Sequence, residues 1–103
     1  MKIIQTNVPV LTIEEFADQN DLVMAVDERP VPVGDLARFY ARFKSTDIKT
    51  NGGLLGVFGN GATQEDAIAD YGQRIALETL VVDAFQKTRR EIRVPRIVEK
   101  GQP

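Results

Sequence analysis

The alternation of apolar and polar residues predicts the first strands of this chain. In residues 38–44, Phe39, Ala41 and Phe43 alternate with polar or charged side chains, and a period of two indicates a strand with one buried face. Residues 22–28 alternate in the same way. We therefore expect two half-buried strands in the first half of the chain.

A tight hairpin is predicted at Asn51-Gly52, a dipeptide typical of two-residue turns. A turn there pairs Ile48 with Leu55, and we expect a strand over residues 53–59 with Leu55 and Val57 facing the core. In this register the first hairpin strand buries even-numbered residues, whereas the strand before it buries odd-numbered ones. Because a one-residue slip turns every side chain to the other face, we expect a bulge or irregular segment at 45–47.

Helical spacing of apolar residues follows over residues 64–78. Four residues form the stripe at i, i+3, i+4 and i+7: Ile68, Tyr71, Gly72 and Ile75. Thr63 precedes this helix, with Asp66 three residues on, which is a capping box with Asp in place of Glu. We expect Gly72 to let the helix backbone approach the sheet closely.

A second capping box, Thr12-Ile13-Glu14-Glu15, predicts a short helix near the start of the chain. Further strands are expected over residues 80–85 and 91–98, and residues 29–36 read as a loop. The predicted order is α-β-β-β-α-β-β. This is an α+β fold, an antiparallel β-meander with one main helix packed on one face. Residues 1–98 then form a single domain and residues 99–103 a frayed tail.

The amino-acid composition excludes several kinds of covalent, metal-binding and catalytic site. The 103 residues include no cysteine and no histidine, so disulfides, thiolate metal sites and the commonest general base are excluded. Ser45 is the only serine, and no spacing supports a Ser-Lys pair with Lys44 or Lys49. We expect no cofactor, no metal and no enzymatic activity. Residues 1–7 become polar too soon for a signal-peptide core, and no apolar run suits a membrane span, so we expect a cytoplasmic protein.

The formal net charge of −2 conceals an uneven distribution. Residues 1–86 carry a formal charge of −6 and residues 87–103 a charge of +4. The basic segment contains the candidates for phosphate contact: Arg89, Arg90, Arg93 and Arg96. Tyr40 and Phe85 are candidates for stacking on bases. The alternative is charge protection of an edge strand, which the acidic isoelectric point of about 5.1 favours.

Acidic residues cluster at the start of the 64–78 helix. Glu65, Asp66 and Asp70 are the candidates for docking on a basic partner surface. With Asn60, the same residues are also a candidate site for a hard cation such as Mg²⁺. The simpler interpretation is that carboxylates early in a helix complement its dipole.

The segment Gly61-Ala62-Thr63-Gln64-Glu65-Asp66-Ala67-Ile68-Ala69-Asp70 resembles the strand-to-helix junction of HicB-type antitoxins. The aromatic strand 38–43 is similar to their opening strand, and the likeness covers residues 38–76. The chain departs from that family by an additional N-terminal helix and by lacking a recognisable C-terminal DNA-binding module. The resemblance implies a partially degraded ribonuclease-H-like fold that binds a protein partner. In general character the chain is also similar to small phage-encoded proteins.

These observations favour a small non-enzymatic regulatory or inhibitory module that acts through protein–protein contact. The alternative is a nucleic-acid-binding protein that uses the basic C-terminal segment. A metal-dependent hydrolase built on Asp66 and Asp70 is a third interpretation. Homodimerisation through a strand edge is compatible with a sheet of the predicted size.

Overall fold

The computed structural model of the chain describes residues 10–30 and 37–98. They form a mixed α and β structure with two helices, α1 (Ile13–Gln19) and α2 (Gln64–Ile75). The described strands, in chain order, are β1 Val10–Thr12, β2 Met24–Glu28, β3 Phe39–Phe43, β4 Thr46–Thr50, β5 Gly53–Leu55, β6 Gly59–Gly61, β7 Thr79–Val82, β8 Arg90–Arg93 and β9 Arg96–Val98. The predicted tail at 99–103 and most of the predicted loop at 29–36 lie outside the described residues.

Both helices begin where their capping residues predict. The Thr12 hydroxyl accepts the backbone N–H of Glu15 at 3.2 Å, and the Glu15 carboxylate accepts the N–H of Thr12 at 3.0 Å. The capping box at Thr12 is therefore confirmed. The Thr63 hydroxyl accepts the N–H of Asp66 at 3.1 Å. Within the described residues the shorter Asp66 side chain makes no return bond, so only half of the capping box at Thr63 forms.

Helix α2 ends at Ile75, three residues before the predicted end. Ala76 is extended, and Leu77 takes a positive φ of 65°. The N–H of Leu77 then donates to the carbonyl of Val94 at 3.2 Å, and the N–H of Val94 donates to the carbonyl of Glu78 at 2.8 Å. These hydrogen bonds to Val94, a residue distant in the sequence, therefore end the helix earlier than the apolar spacing of residues 64–78 predicts.

The hairpin register is confirmed, since Ile48 pairs with Leu55 and Thr50 with Gly53. The glycine that adopts a positive φ is Gly53, at 145°, rather than Gly52. The predicted strand over 53–59 is wrong, because the chain leaves this sheet after Leu55 and enters another at Gly59. Leu55 does not face the core; its side chain is 53% exposed.

The predicted single meander is also wrong, because the strands divide into three small sheets. Strand β3 pairs with β2 and β6, whereas β4 pairs with β5 and β7, and β7 pairs with β8, all antiparallel. Strands β1 and β9 form a separate parallel pair. The predicted irregular segment at 45–47 is a turn at Lys44-Ser45, with Ser45 at a φ of 59°. This turn moves the chain from one sheet to the next.

The last predicted strand, 91–98, is two strands that separate at Val94-Pro95. Val94 is fully buried, and it holds the corner against the end of α2. Pro95 has no N–H to donate to a sheet, which suits a corner between strands. Among the described residues, no helix is both long and apolar enough to cross a membrane.

Helix α2 lies at the centre of the core, between the β3–β6 sheet and the pair formed by α1 and β9. A Cβ built on Gly59 would overlap the backbone of Ala67 and Tyr71, so strand β6 touches the helix backbone directly. The predicted close approach at Gly72 is made to Ile97 of β9 and Ile13 of α1, not to the β3–β6 sheet. The largest fully buried side chains are Phe16, Phe43, Tyr71, Ile75, Leu80, Val81 and Val94.

Candidate functional site

A groove of about 440 Å³ lies where the first turns of α1 and α2 meet β9. We call it the acidic groove. Its lining residues are Ile13, Glu14, Glu65, Asp66, Ile68, Ala69, Gln73, Ile97 and Val98. Carboxylates form the rim and aliphatic side chains form much of the rest, with no basic residue among them.

The base of the acidic groove is held in place by tertiary contacts. Gly72 lets Ile97 approach α2, since a Cβ there would lie 2.9 Å from Ile97 Cγ2 and 3.4 Å from Ile13 Cδ1. The Gln73 amide donates to the carbonyl of Ile97 at 3.0 Å, which ties β9 to the helix. Ile13 and Ile97 are both almost fully buried. A rigid apolar floor is therefore present beneath the rim.

The rim takes its charge from two helix N-termini. Glu14 lies in the first turn of α1, and Glu65 and Asp66 lie in the first turn of α2; all three are exposed. None of them forms a salt bridge within the described residues. Each helix N-terminus contributes about half a positive charge, so three carboxylates leave the rim negative.

Asp70, the third predicted acidic candidate, is not on this rim. Its carboxylate accepts the backbone N–H of Asn60 at 2.8 Å and the Arg74 guanidinium at 2.7 Å. Asn60 in turn accepts from Arg29 at 2.6 Å. The structure therefore brings together Glu65 and Asp66 but turns Asp70 toward strand β6, where it connects the helix to the sheet.

The same arrangement separates the proposed ligands of the candidate cation site. Asp70 and Asn60, two of its proposed ligands, are already bonded to Arg74 and Arg29. In the part of the chain that the structure describes, no group of three or more metal-ligating side chains is close enough to hold an ion. The metal-dependent hydrolase hypothesis gains no support from this geometry.

The basic candidates do not form one surface. Arg89 pairs with Glu91 at 3.1 Å, and Arg90 donates to the carbonyl of Asn20 at 2.5 Å. Arg90 and Arg93 lie three residues apart on β8, so they face opposite sides of the sheet. Arg96 lies on β9 in a different sheet. Strand β8 is a sheet edge, as the edge-protection interpretation predicts.

The aromatic candidates are likewise separated. Phe85 is 93% exposed in the connection between β7 and β8. Tyr40 lies on β3, with the Arg29 guanidinium 4.8 Å from its ring centre and Phe58 against it edge-on at 5.7 Å. The Arg29 guanidinium thus covers one face of the Tyr40 ring on which a base could stack.

A second cleft contains the only serine. Ser45 lies there with Lys44 and Thr88, where three turns of the chain meet. The Thr88 hydroxyl donates to Asp83 at 2.8 Å. Among the described residues no base hydrogen-bonds the Ser45 hydroxyl, and Lys49 is paired with Glu91 instead. The cleft therefore lacks the nucleophile–base pair that covalent catalysis requires.

Sequence reasoning identified Glu65 and Asp66 but missed Glu14, Ile13 and Ile97 as parts of the same groove. The one available signal was that both helices begin with a capped, acidic first turn. Comparisons of the chain with known protein families, curated proteins and solved structures find no match.

Proposed function

We propose that the protein is a non-enzymatic regulatory or inhibitory module whose acidic groove binds a basic, partly apolar segment of another protein. The observation that carries this proposal is the combination of an apolar floor at Ile13 and Ile97 with a carboxylate rim at Glu14, Glu65 and Asp66. Aliphatic side chains on the partner would pack against the half-buried aliphatic lining at Ile68, Ala69 and Val98, and Lys or Arg side chains would meet the rim.

The charge of the rim selects the sign of the partner. The three carboxylates have no cationic partner of their own within the described residues, so a bound cation gains attraction without breaking an internal salt bridge. Such complementarity raises the association rate and excludes acidic competitors. A basic surface that normally holds nucleic acid meets these requirements, and covering it would inhibit the partner.

The position of the groove supports the same mode of action. The segment that resembles the HicB-type junction contains Glu65 and Asp66, and the mode implied by that resemblance is binding of a protein partner. An enzymatic role has no comparable support, because the described clefts hold neither a nucleophile–base pair nor a cation site.

Affinity capture with matched charge variants tests the proposal. The tagged protein is used to capture partners from native-host lysate with and without nuclease, alongside Glu14→Lys/Glu65→Lys and the control Asp18→Lys/Glu78→Lys. Both double variants change the net charge equally at exposed positions, but only the first alters the groove. We expect the groove variant to lose a stoichiometric partner that the control retains.

Direct binding provides the second arm. A synthetic peptide of alternating Lys and Leu residues, titrated into ¹⁵N-labelled protein, should shift the amide signals of Glu65, Asp66 and Ile97. Partner capture that survives in the groove variant, or that collapses on nuclease treatment of the wild-type sample, would contradict the proposal. The second outcome would instead direct attention to Arg89, Arg90, Arg93 and Arg96.

A further inference from the structure

The hairpin strand β5 is an edge strand that exposes large apolar side chains. It is the outermost strand of the sheet ordered β5-β4-β7-β8, and residues 51–56 are all exposed. Two of these, Leu54 and Leu55, are large and apolar, and the exposed ring of Phe58 follows three residues on. Natural edge strands normally avoid such an arrangement, because free backbone groups beside apolar side chains invite another strand to pair.

The opposite edge of the same sheet shows the contrast. Strand β8 carries Arg90, Glu91 and Arg93 among its four residues, and charged side chains are a common protection of an edge. Around β5, by contrast, residues 50–64 contain no charged side chain, the longest uncharged stretch of the chain. One edge of the sheet is protected and the other is not.

We propose that β5 is a homodimer interface at which a second copy of the chain adds its own β5 strand antiparallel. The unpaired backbone N–H and C=O groups along the outer edge of β5 require another strand as their partner. A partner recognised by its charge would find no charged side chain on this edge. The edge of a second copy meets both conditions, because the outward N–H and C=O groups of one strand pair with the same groups of an identical antiparallel strand across a two-fold axis. This surface is separate from the acidic groove, so the inference does not depend on the proposed function.

The short strand defines a specific register. A two-fold axis at Leu54 places Leu54 opposite Leu54 of the second copy, and Leu55 opposite Gly53 of the second copy. Gly53 has no side chain, and a Cβ built on it meets nothing within 4 Å, so there is space for the Leu55 side chain. The result is a continuous sheet of eight strands, within the usual size range. Because the contact is small, we expect a dissociation constant on the order of 10–100 µM.

Sedimentation equilibrium tests this association with a matched pair of variants. Leu55→Lys places a protective charge on the edge, whereas Val23→Lys makes the same kind of change at a side chain of similar exposure (57% against 53%) away from β5. We expect Leu55→Lys to weaken the dimer at least tenfold and Val23→Lys to leave it unchanged. A wild-type protein that remains monomeric at about 500 µM, at least five times the expected dissociation constant, would overturn the proposal.

Cysteine cross-linking tests the register. The chain contains no cysteine, so Leu54→Cys introduces a single thiol. Residues directly opposite in an antiparallel pair have Cα atoms about 4.5–5.5 Å apart, within the range that a disulfide spans. Under mild oxidation we expect Leu54→Cys to form disulfide-linked dimers at least tenfold faster than Phe85→Cys, a more exposed control. Equal rates for the two variants would exclude this register and this interface.

Discussion

The backbone of Gly59 lies directly against the backbone of Tyr71. A Cβ built on Gly59 would fall 2.5 Å from Tyr71 Cβ and would overlap the backbone nitrogen of Tyr71 and the carbonyl oxygen of Ala67. Strand β6 can therefore cross helix α2 only if this position has no side chain. The glycines of the Gly59-Asn60-Gly61 motif serve this close packing, since Gly61 meets the helix backbone at Ala67 in the same way.

We expect Gly59→Ala to lower the free energy of unfolding by about 3 kcal/mol, because the added methyl group must push a strand away from a helix. Gly52→Ala is the matched control, since a Cβ there meets nothing within 4 Å, and it should change stability by less than about 0.5 kcal/mol. Urea denaturation measures both. Equal effects would show that the strand–helix contact is less close than described.

The buried hydroxyls of Thr46 and Tyr71 lie 3.4 Å apart. Thr46 donates its proton to the carbonyl of Phe43 at 2.9 Å, so the Tyr71 hydroxyl is the donor in the pair. We expect Tyr71→Phe to cost about 1 kcal/mol of stability, because the Thr46–Phe43 bond survives. Thr46→Val should cost more, about 2 kcal/mol, because it leaves the Tyr71 hydroxyl without a partner and leaves the Phe43 carbonyl only the longer bond from Arg42 Nε at 3.4 Å.

The double variant Thr46→Val/Tyr71→Phe distinguishes this explanation from simple loss of packing. Removing the Tyr71 hydroxyl also removes the unpaired group that Thr46→Val creates. The double variant should therefore be no less stable than Thr46→Val alone, as measured by thermal or urea unfolding. Additive costs would contradict the hydrogen bond between the Thr46 and Tyr71 hydroxyls.

Arg29, which follows β2, donates to the side-chain oxygen of Asn60 on β6 at 2.6 Å and also to the carbonyl of Ala37 at 2.6 Å. Because these groups are partly buried and one is charged, we expect a double-mutant cycle of Arg29→Met and Asn60→Ala to give a coupling of about 1.5 kcal/mol. The exposed pair Arg38–Glu28, at 2.8 Å, is the control. Its coupling should stay below about 0.5 kcal/mol, and a larger value there would undermine the role given to burial.

The carboxyl group of Glu91 has a pKa lowered from its usual value of 4.5, first by the hydrogen bond from Lys49 and then by that from Arg89. A lowered pKa in the folded protein means that the contribution to stability is present above pH 4.5 and is lost as the pH falls through the folded-state pKa. We expect Lys49→Met to raise the pKa of Glu91 more than Arg89→Met does, as followed by the carboxyl carbon signal in an NMR titration.

Glu15 supplies the internal control for this titration. Its pKa is also lowered, but chiefly by the hydrogen bond with the backbone of Thr12. It should therefore keep its pKa in both variants and move toward 4.5 only when the capping contact is lost. If Arg89→Met raised the pKa of Glu91 more than Lys49→Met does, the hydrogen bond from Arg89, rather than the one from Lys49, would be the main cause of the lowered pKa.

Local features of the structure were predictable from the sequence because their causes are local. Thr12 and Thr63 cap helices through atoms three residues away. The pairing of Ile48 with Leu55 depends on a turn between them. The alternation in β3 buries Ala41 and Phe43, as a period of two requires.

Part of the candidate site was predictable for the same reason. Glu65 and Asp66 stand out because they follow a capping threonine, and the structure places both on the rim of the acidic groove. Glu14 and Ile97 were not predicted as members, because their proximity to Glu65 depends on how β9 and α1 pack on α2. Asp70 was assigned to the same surface, yet its bond to Asn60 depends on where β6 crosses the helix.

The starts of the helices, the register of the hairpin and the change of buried parity near Ser45 follow from the amino-acid sequence alone. The assignment of β3 and β4 to different sheets, the exposure of Leu55 and the parallel pairing of β1 with β9 depend on the packing of the folded chain. The physical reason is the range of the interactions. Caps and turns are stabilised by atoms a few residues apart, whereas strand partners and groove walls are selected by contacts that form only when the whole chain packs around Tyr71 and Phe43.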